Sequence, residues 1–283
     1  MRGTVAHESA AMRRGRPRLG QHFLVDGRIA GRIVAAGELA ERPPVLEIGP
    51  GRGALTKRLC AATDRLYLIE PDAALADALH HAYAGTPGVV VVRGDVMRVD
   101  LEALVSEPRV HVVGNLPYNV ASQILLRLVD FRHRCPLAVV MLQREMAERV
   151  AAPPGSRTYG VLGVLVQLWA EVEWCFGVGR GAFVPRPRVE SAVVRLRFHS
   201  EPRVRVGDVG VFRMLVRTLF QQRRKMVRGT LGAALEHAGV RDAAVTELLQ
   251  DAGVDPRSRP EELDLEAFGR LSIAICARRA PAR

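Results

Sequence analysis

The chain is poor in cysteine, lysine and aromatic residues, and it lacks any long apolar run. Its four cysteines, Cys60, Cys135, Cys175 and Cys276, lie far apart and form no CxxC pair. That argues against a zinc ribbon or a disulfide scaffold and fits a reducing, cytoplasmic setting. The opening MRGTVAHESA has no apolar core of the kind that signal peptides carry. Stretches such as VLGVLVQLWA fall well short of the ~20 apolar residues that span a bilayer. Secretion and membrane insertion are therefore not expected. Familiar catalytic signatures are missing as well. His22, His80, His81, His111 and His133 form neither HExxH nor a hydrolase triad, no G-x-S-x-G elbow occurs, and GRGALTK lacks the Walker spacing. No metal site is expected.

What is present is basic. Lys and Arg number 41 against 30 Asp and Glu, a formal net charge of +11 in 283 residues. A surplus of that size predicts attraction to a polyanion, nucleic acid above all. Lysine stands only at Lys57 and Lys225. Arginine suits forked phosphate contacts, although a bias in genomic composition explains its prevalence better.

The pattern along the chain alternates. Residues 1–18, with RRGRPR, read as a flexible basic arm. Asp26 stands where it caps a helix that carries Ile29, Ile33 and Val34. Then come VLEI, RLYLIEPD, VVVVRGDVM, RVHVVGN and PLAVVML, each followed by a helical stretch. Unbroken aliphatic runs, rather than period-two alternation, mark strands buried on both faces. The fold class is therefore α/β, a largely parallel sheet covered by helices. SRTYGVLGVLVQLWAEV (156–172) reads as a helix. FGVGRGAF and VESAVVRLRF read as two later strands. Residues 19–200 are expected to form the main domain and 201–283 a helical one, with a doubtful strand near LSIAI.

The strand ends carry the chemistry. EIGPGRG places Gly49, Gly51 and Gly53 in a turn that lets backbone approach a ligand closely. The stretch half-fits the dinucleotide pattern, so a nicotinamide cofactor and a bland structural turn both stay open. Glu70 ends the second strand, where a carboxylate accepts both hydroxyls of a ribose. Asp95, after Gly94, could accept from the amine of an adenine or simply form a turn. Asn115, Leu116, Pro117 and Tyr118 end the fourth strand. The amide oxygen and a carbonyl freed by the following proline could hold the two N–H bonds of an exocyclic amine, with the tyrosine ring as a stacking face. A strand that merely turns at a proline is the plainer alternative.

These motifs, in order, resemble the small-subunit ribosomal RNA adenine dimethyltransferases, relatives of the erythromycin-resistance methyltransferases. The likeness runs from about residue 18 to 270 through LGQHFL, EIGPGRGALT, GD, GNLPYNVASQIL, MLQREMAERV, SRTYGVLGVLVQ, FVPRPRVESAVVRL and FQQRRKMVRGTL. It implies a Rossmann-like S-adenosylmethionine-dependent methyltransferase sheet with a small C-terminal helical domain. The activity it implies is transfer of methyl groups from S-adenosyl-L-methionine to N6 of two adjacent adenosines near the 3′ end of 16S rRNA, in the assembling small ribosomal subunit. It further implies that Gln21, His22 and Leu24 line the methionine side of the cofactor. Gly49, Gly51 and Gly53 would form its loop, Glu70 would hold the ribose, Asp95 the adenine amine, and Val96 or Met97 would contact the adenine ring. Asn115 would bond cofactor or target amine, and Phe183 would be a second aromatic wall for the target base. The 23S branch is the runner-up; NLPY, where that branch usually has NIPY or NIPF, favours 16S. The segment KMVRGTL departs from the more usual KTLRNSL at Gly229.

For RNA, the acid-free stretch 211–230 offers Arg213, Arg217, Arg223, Arg224, Lys225 and Arg228, with Arg213, Arg217, Arg224 and Arg228 spaced for one side of a helix. Arg186 and Arg188 flank a proline-stiffened loop and are further candidates. The protein is expected to act as a monomer.

Overall fold

The computed structural model describes residues 21–240 and 245–279. The basic arm expected at 1–18 lies outside them. The chain divides into two compact units, one made of residues up to Ala147 together with Val172–Phe198, the other of Glu148–Glu171 and the residues from His199 onward.

The first unit is built on a seven-stranded sheet. Its strands are β2 (Val45–Ile48), β3 (Leu66–Glu70), β4 (Val89–Arg93), β5 (His111–Asn115), β6 (Leu137–Gln143), β7 (Ala170–Val178) and β9 (Ser191–Phe198), in the order β4-β3-β2-β5-β6-β9-β7. The first five run parallel, and β9 joins β6 antiparallel. β2 and β3 are buried along their whole length, as their aliphatic runs require. β4 lies at an edge and is only half-buried despite its four valines. A separate pair joins β1 (Phe23–Leu24) to β8 (Phe183–Val184), with Leu24 opposite Phe183. Ile33, Leu59, Leu68, Leu79, Val113, Met141 and Val193 share one apolar core. Asp26 caps the helix Gly27–Ala36 by accepting from the Arg28 and Ile29 amides. The strand topology has one consequence for function. The strand order reverses between β2 and β5, and the crevice beyond the carboxyl ends of strands at such a reversal is where open α/β sheets bind ligands.

The second unit is helical: Val161–Gln167, Val209–Gln221, Leu231–His237, Val245–Asp251 and Leu265–Arg278. Phe268 meets Phe212 edge-on at 6.2 Å and stacks on Phe220 at 6.1 Å, while Tyr159 packs its ring edge against Phe220. Three expectations change here. The helix expected over 156–172 covers only Val161–Gln167, because β7 already begins at Ala170. That segment also packs with the C-terminal helices instead of the main sheet; Tyr159 ties it to Phe220, and Arg223 donates to the Ser156 carbonyl at 3.2 Å. LSIAI is not a strand. Leu271 and Ile275 are one helical turn apart and both buried in the helix Leu265–Arg278, which Asp264 caps through the Ala267 amide. No helix among the described residues is long and apolar enough to cross a membrane.

Candidate active site

A cavity of about 320 Å³ opens at the switch point, a size within the usual range of small-molecule sites. It brings together residues scattered over a hundred positions: Gln21, His22, Leu24, Gly49, Gly51, Glu70, Asp95, Val96, Asn115, Leu116, Pro117 and Tyr118 all line it. Its floor is the turn after β2. Gly49, Gly51 and Gly53 have φ of 68°, 57° and 77°, conformations that residues with a Cβ rarely adopt. Gly53 shapes this turn, donating to the Pro50 carbonyl, but is not in the cavity wall.

Glu70 ends β3 with its carboxylate held from two sides. Oε2 accepts from the Gly51 amide and Oε1 from the Asp72 amide, both at 2.9 Å. Burial raises its pKa, while these two N–H donors pull it back. Each oxygen keeps a lone pair for a further donor. Asp95 spends Oδ1 on the Met97 amide at 2.9 Å, so it does form a turn, and its other oxygen is free to accept an amine. Val96 is buried beside it.

Asn115 closes β5. Its Nδ2 donates to the His22 carbonyl at 3.4 Å, which leaves Oδ1 as the acceptor. The strand leading to it passes tightly, since a Cβ on Gly114 would come 2.7 Å from the Ile48 carbonyl. Leu116 donates its amide to the Met141 carbonyl, and its own carbonyl precedes proline and meets no N–H there. Tyr118 bonds through its hydroxyl to Ser191 Oγ at 2.9 Å, and its ring lies 5.9 Å from that of His22 at 31°. His22 in turn donates from Nδ1 to the Pro185 carbonyl at 2.9 Å.

Phe183 is not brought to this cavity. It is 1% exposed, paired in β8 opposite Leu24 and packed in the apolar core. A fully apolar residue on a short strand beside the core is drawn inward.

Sequence reasoning missed two groups. Glu47 lines the cavity at 1% exposure, accepts from Thr56 Oγ1 at 2.7 Å, and is pushed up to about 8 by burial and by the neighbouring Glu70 charge, against the opposing Thr56 hydrogen bond. The signal was there: a lone acid inside the apolar run VLEI. Ser191, the Tyr118 partner, is fully buried at the start of β9 and had no sequence signal beyond a polar residue opening a strand. No cluster of three or more His, Cys, Asp or Glu side chains suited to a metal occurs among the described residues.

The basic candidates divide. Arg186 and Arg188 are exposed in the first unit. In the second, the helix Val209–Gln221 buries Phe212, Leu215, Val216 and Leu219 as its pattern predicts, with Arg217 exposed and Arg213 half-buried. The single basic helix face does not extend to Arg224 and Arg228. The helix stops at Gln221, and Arg228 follows in a 3-10 turn, Val227–Gly229. Arg224, Lys225 and Arg228 are exposed. Arg223 points elsewhere, to Glu261 at 3.3 Å and to the Ser156 carbonyl. A Cβ on Gly229 would meet nothing within 4 Å, so no steric demand explains that glycine.

The family described as Ribosomal RNA adenine dimethylase matches residues 12–268. The chain belongs to that family. A relative from Syntrophotalea carbinolica, named Ribosomal RNA small subunit methyltransferase A, is 42% identical over 93% of this chain and 97% of its own. One of the same name from Acidobacterium capsulatum is 45% identical over 90% and 89%. Among solved structures, a dimethyladenosine transferase from Plasmodium falciparum superposes with a TM-score of 0.76 over 88% of this chain and 96% of its own at 24% identity, which shows the shared fold. The 23S rRNA methyltransferase ErmE reaches 0.68 over 89% and 99%, at 27% identity. A dimethylase of this family uses S-adenosyl-L-methionine as its cofactor.

Proposed function

We propose that this protein transfers methyl groups from S-adenosyl-L-methionine to N6 of two adjacent adenosines near the 3′ end of 16S rRNA, giving N6,N6-dimethyladenosines during small-subunit assembly. The observation that carries this reading is the juxtaposition of a nucleoside-shaped set of acceptors with the Asn115–Tyr118 clamp in one cavity. The relatives named for the small subunit, at 42% and 45% identity, favour 16S over the 23S reading that ErmE at 27% would suggest. The protein acts as a cytoplasmic monomer in this reading, with 16S rRNA as its partner.

Glu70 would hold the ribose hydroxyls and Asp95 the adenine amine of the cofactor, with Gln21, His22 and Leu24 toward its methionine end. The cofactor supplies an electrophilic methyl on a sulfonium. The chain supplies orientation. The N6 lone pair of adenine is delocalised into its ring and attacks poorly. Asn115 Oδ1 and the Leu116 carbonyl would accept its N–H bonds and so favour a pyramidal, attacking nitrogen. Tyr118 gives the base a face to stack on, which offsets part of the cost of leaving its own stack. A hairpin loop lowers that cost further. Arg186 and Arg188 on the first unit, and Arg213, Arg217, Arg224, Lys225 and Arg228 on the second, would meet phosphate.

Labelled-methyl transfer to undermethylated small subunits, followed by mapping of the modified adenines, tests the reading. Two adjacent dimethylated adenines near the 3′ end of 16S rRNA are expected; modification of 23S rRNA instead would overturn it. Full turnover by Asn115→Ala at saturating cofactor would remove the clamp.

A further inference from the structure

Arg127 has no place in the chemistry above, yet it joins the two halves of the cavity. It lies in the helix Ala121–Asp130, which grows directly out of the clamp. The Val120 amide donates to the Pro117 carbonyl and the Ile124 amide to the Val120 carbonyl, so clamp and helix are continuous in hydrogen bonds. Val120 and Ile124 themselves line the cavity. Arg127 follows Ile124 by three residues, on the same side of the helix. Its guanidinium crosses to the turn after β4, donating from Nη1 to the Met97 carbonyl at 2.9 Å and from Nη2 to the Val99 carbonyl. That turn carries Asp95 and Val96.

The turn does not need Arg127 in order to form. Asp95 Oδ1 accepts from the Met97 amide, the Asp95 carbonyl accepts from the Arg98 and Val99 amides, and Gly94 donates to the Glu70 carbonyl. Its shape is set locally. What a forked donor on another element adds is the location of the whole turn relative to that element. A half-buried guanidinium that meets two backbone carbonyls, with its Nε enclosed and unpartnered, is an expensive way to gain stability alone.

We propose that Arg127 is a positioning residue. It fixes the Asp95–Val96 turn against the clamp helix, so that recognition of the cofactor's adenine amine and presentation of the target base share one frame. This rests on the reading of the cavity as a cofactor site.

The test uses the whole chain with S-adenosylhomocysteine and its inosyl counterpart, in which the adenine amine is replaced by a carbonyl oxygen. Wild type should bind the adenosyl form more tightly, because Asp95 accepts from the amine. Arg127→Gln should weaken adenosyl binding about tenfold and remove most of the preference over the inosyl form. Asp95→Ala should do the same, and the double variant should lose little more than either alone, as expected of one coupled unit. Arg127→Lys, which keeps one donor to a carbonyl, should fall between, and it decides the matter if Arg127→Gln does not fold. Wild-type affinity and preference in Arg127→Gln, or in Arg127→Lys where the glutamine variant does not fold, would overturn the proposal. Failure of wild type to bind either ligand would instead overturn the reading of the cavity.

Discussion

The phenol of Tyr118 meets the hydroxyl of Ser191 at 2.9 Å across 73 residues of chain. The pair joins the clamp after β5 to the first residue of β9, and it makes the tyrosine a fixed platform instead of a swinging ring. Its two members are not equal. Ser191 is fully buried, whereas Tyr118 keeps some access to solvent. Tyr118→Phe therefore strands a buried hydroxyl and should cost ~1–3 kcal/mol of stability, while Ser191→Ala leaves a phenol that water can reach and should cost ~1 kcal/mol. Activity should rank differently. Phenylalanine keeps the stacking face, so turnover should fall less than about tenfold; Tyr118→Ala removes the face, worth ~1–3 kcal/mol per stacked base, and should lose about tenfold to a hundredfold. Chemical denaturation and single-turnover methyl transfer would check both rankings.

Much of this was readable before any coordinates. The aliphatic runs in RLYLIE and PLAVVML dictated buried parallel strands, and glycines at 49, 51 and 53 meant a turn that other residues rarely make. NLPY declared itself because an amide and an aromatic ring have no reason to end a core strand together. The failures have physical causes. Phe183 and a base-stacking aromatic look the same in sequence; here it pairs in β8 opposite Leu24 and is 1% exposed. Arg223 carries the same charge as Arg224, but Glu261 claims it from 38 residues away, a long-range pairing no periodicity encodes. The basic face ended early because the helix stopped at Gln221, where no glycine or proline announces a boundary. Glu47 was passed over because a lone acid in a strand is most often a solvated residue, and its burial depends on helices packed from both sides.

Glu70 holds Gly51 and Asp72 by one carboxylate oxygen each. Glu70→Gln keeps one acceptor and turns the other atom into a donor that faces an N–H. Glu70→Ala removes both acceptors and leaves two backbone donors without their partner. Binding of S-adenosylhomocysteine, measured by calorimetry, should weaken about tenfold for glutamine and about a hundredfold for alanine, roughly 1.4 kcal/mol per tenfold step. Equal affinities for wild type and Glu70→Ala would exclude a ribose role.

Arg224, Lys225 and Arg228 are exposed, while Arg223 is spent on Glu261 and Ser156. Replacing the three exposed residues with glutamine should weaken RNA binding at every sequence and flatten the dependence of log Kd on log salt by about 2, since each phosphate contact contributes roughly 0.7–0.9. Arg223→Gln should lower the thermal midpoint by a few degrees and leave the salt slope nearly unchanged. A slope change as large in Arg223→Gln as in the triple variant would contradict the division between them.

Glu47 gives the protein a pH dependence with a defined sign. Its pKa rises from 4.5 to about 8 in the folded chain, chiefly through burial. Between those values the folded state holds a proton that the unfolded state releases, so stability falls as pH rises, and the penalty saturates above about pH 8 at a few kcal/mol. Glu47→Gln cannot ionise, and its amide oxygen can still accept from Thr56. The variant should match wild type near pH 4.5, where folding still proceeds, and exceed it by a margin that grows up to about pH 8 and then levels off. Urea denaturation at three pH values measures the margin; parallel stability profiles would mean the carboxyl ionises freely in the fold. Thr56→Val should act in the opposite direction. The Thr56 hydroxyl is the group that lowers the Glu47 pKa, so its loss should carry the decline in stability on to higher pH, and Glu47→Gln combined with Thr56→Val should abolish that extension.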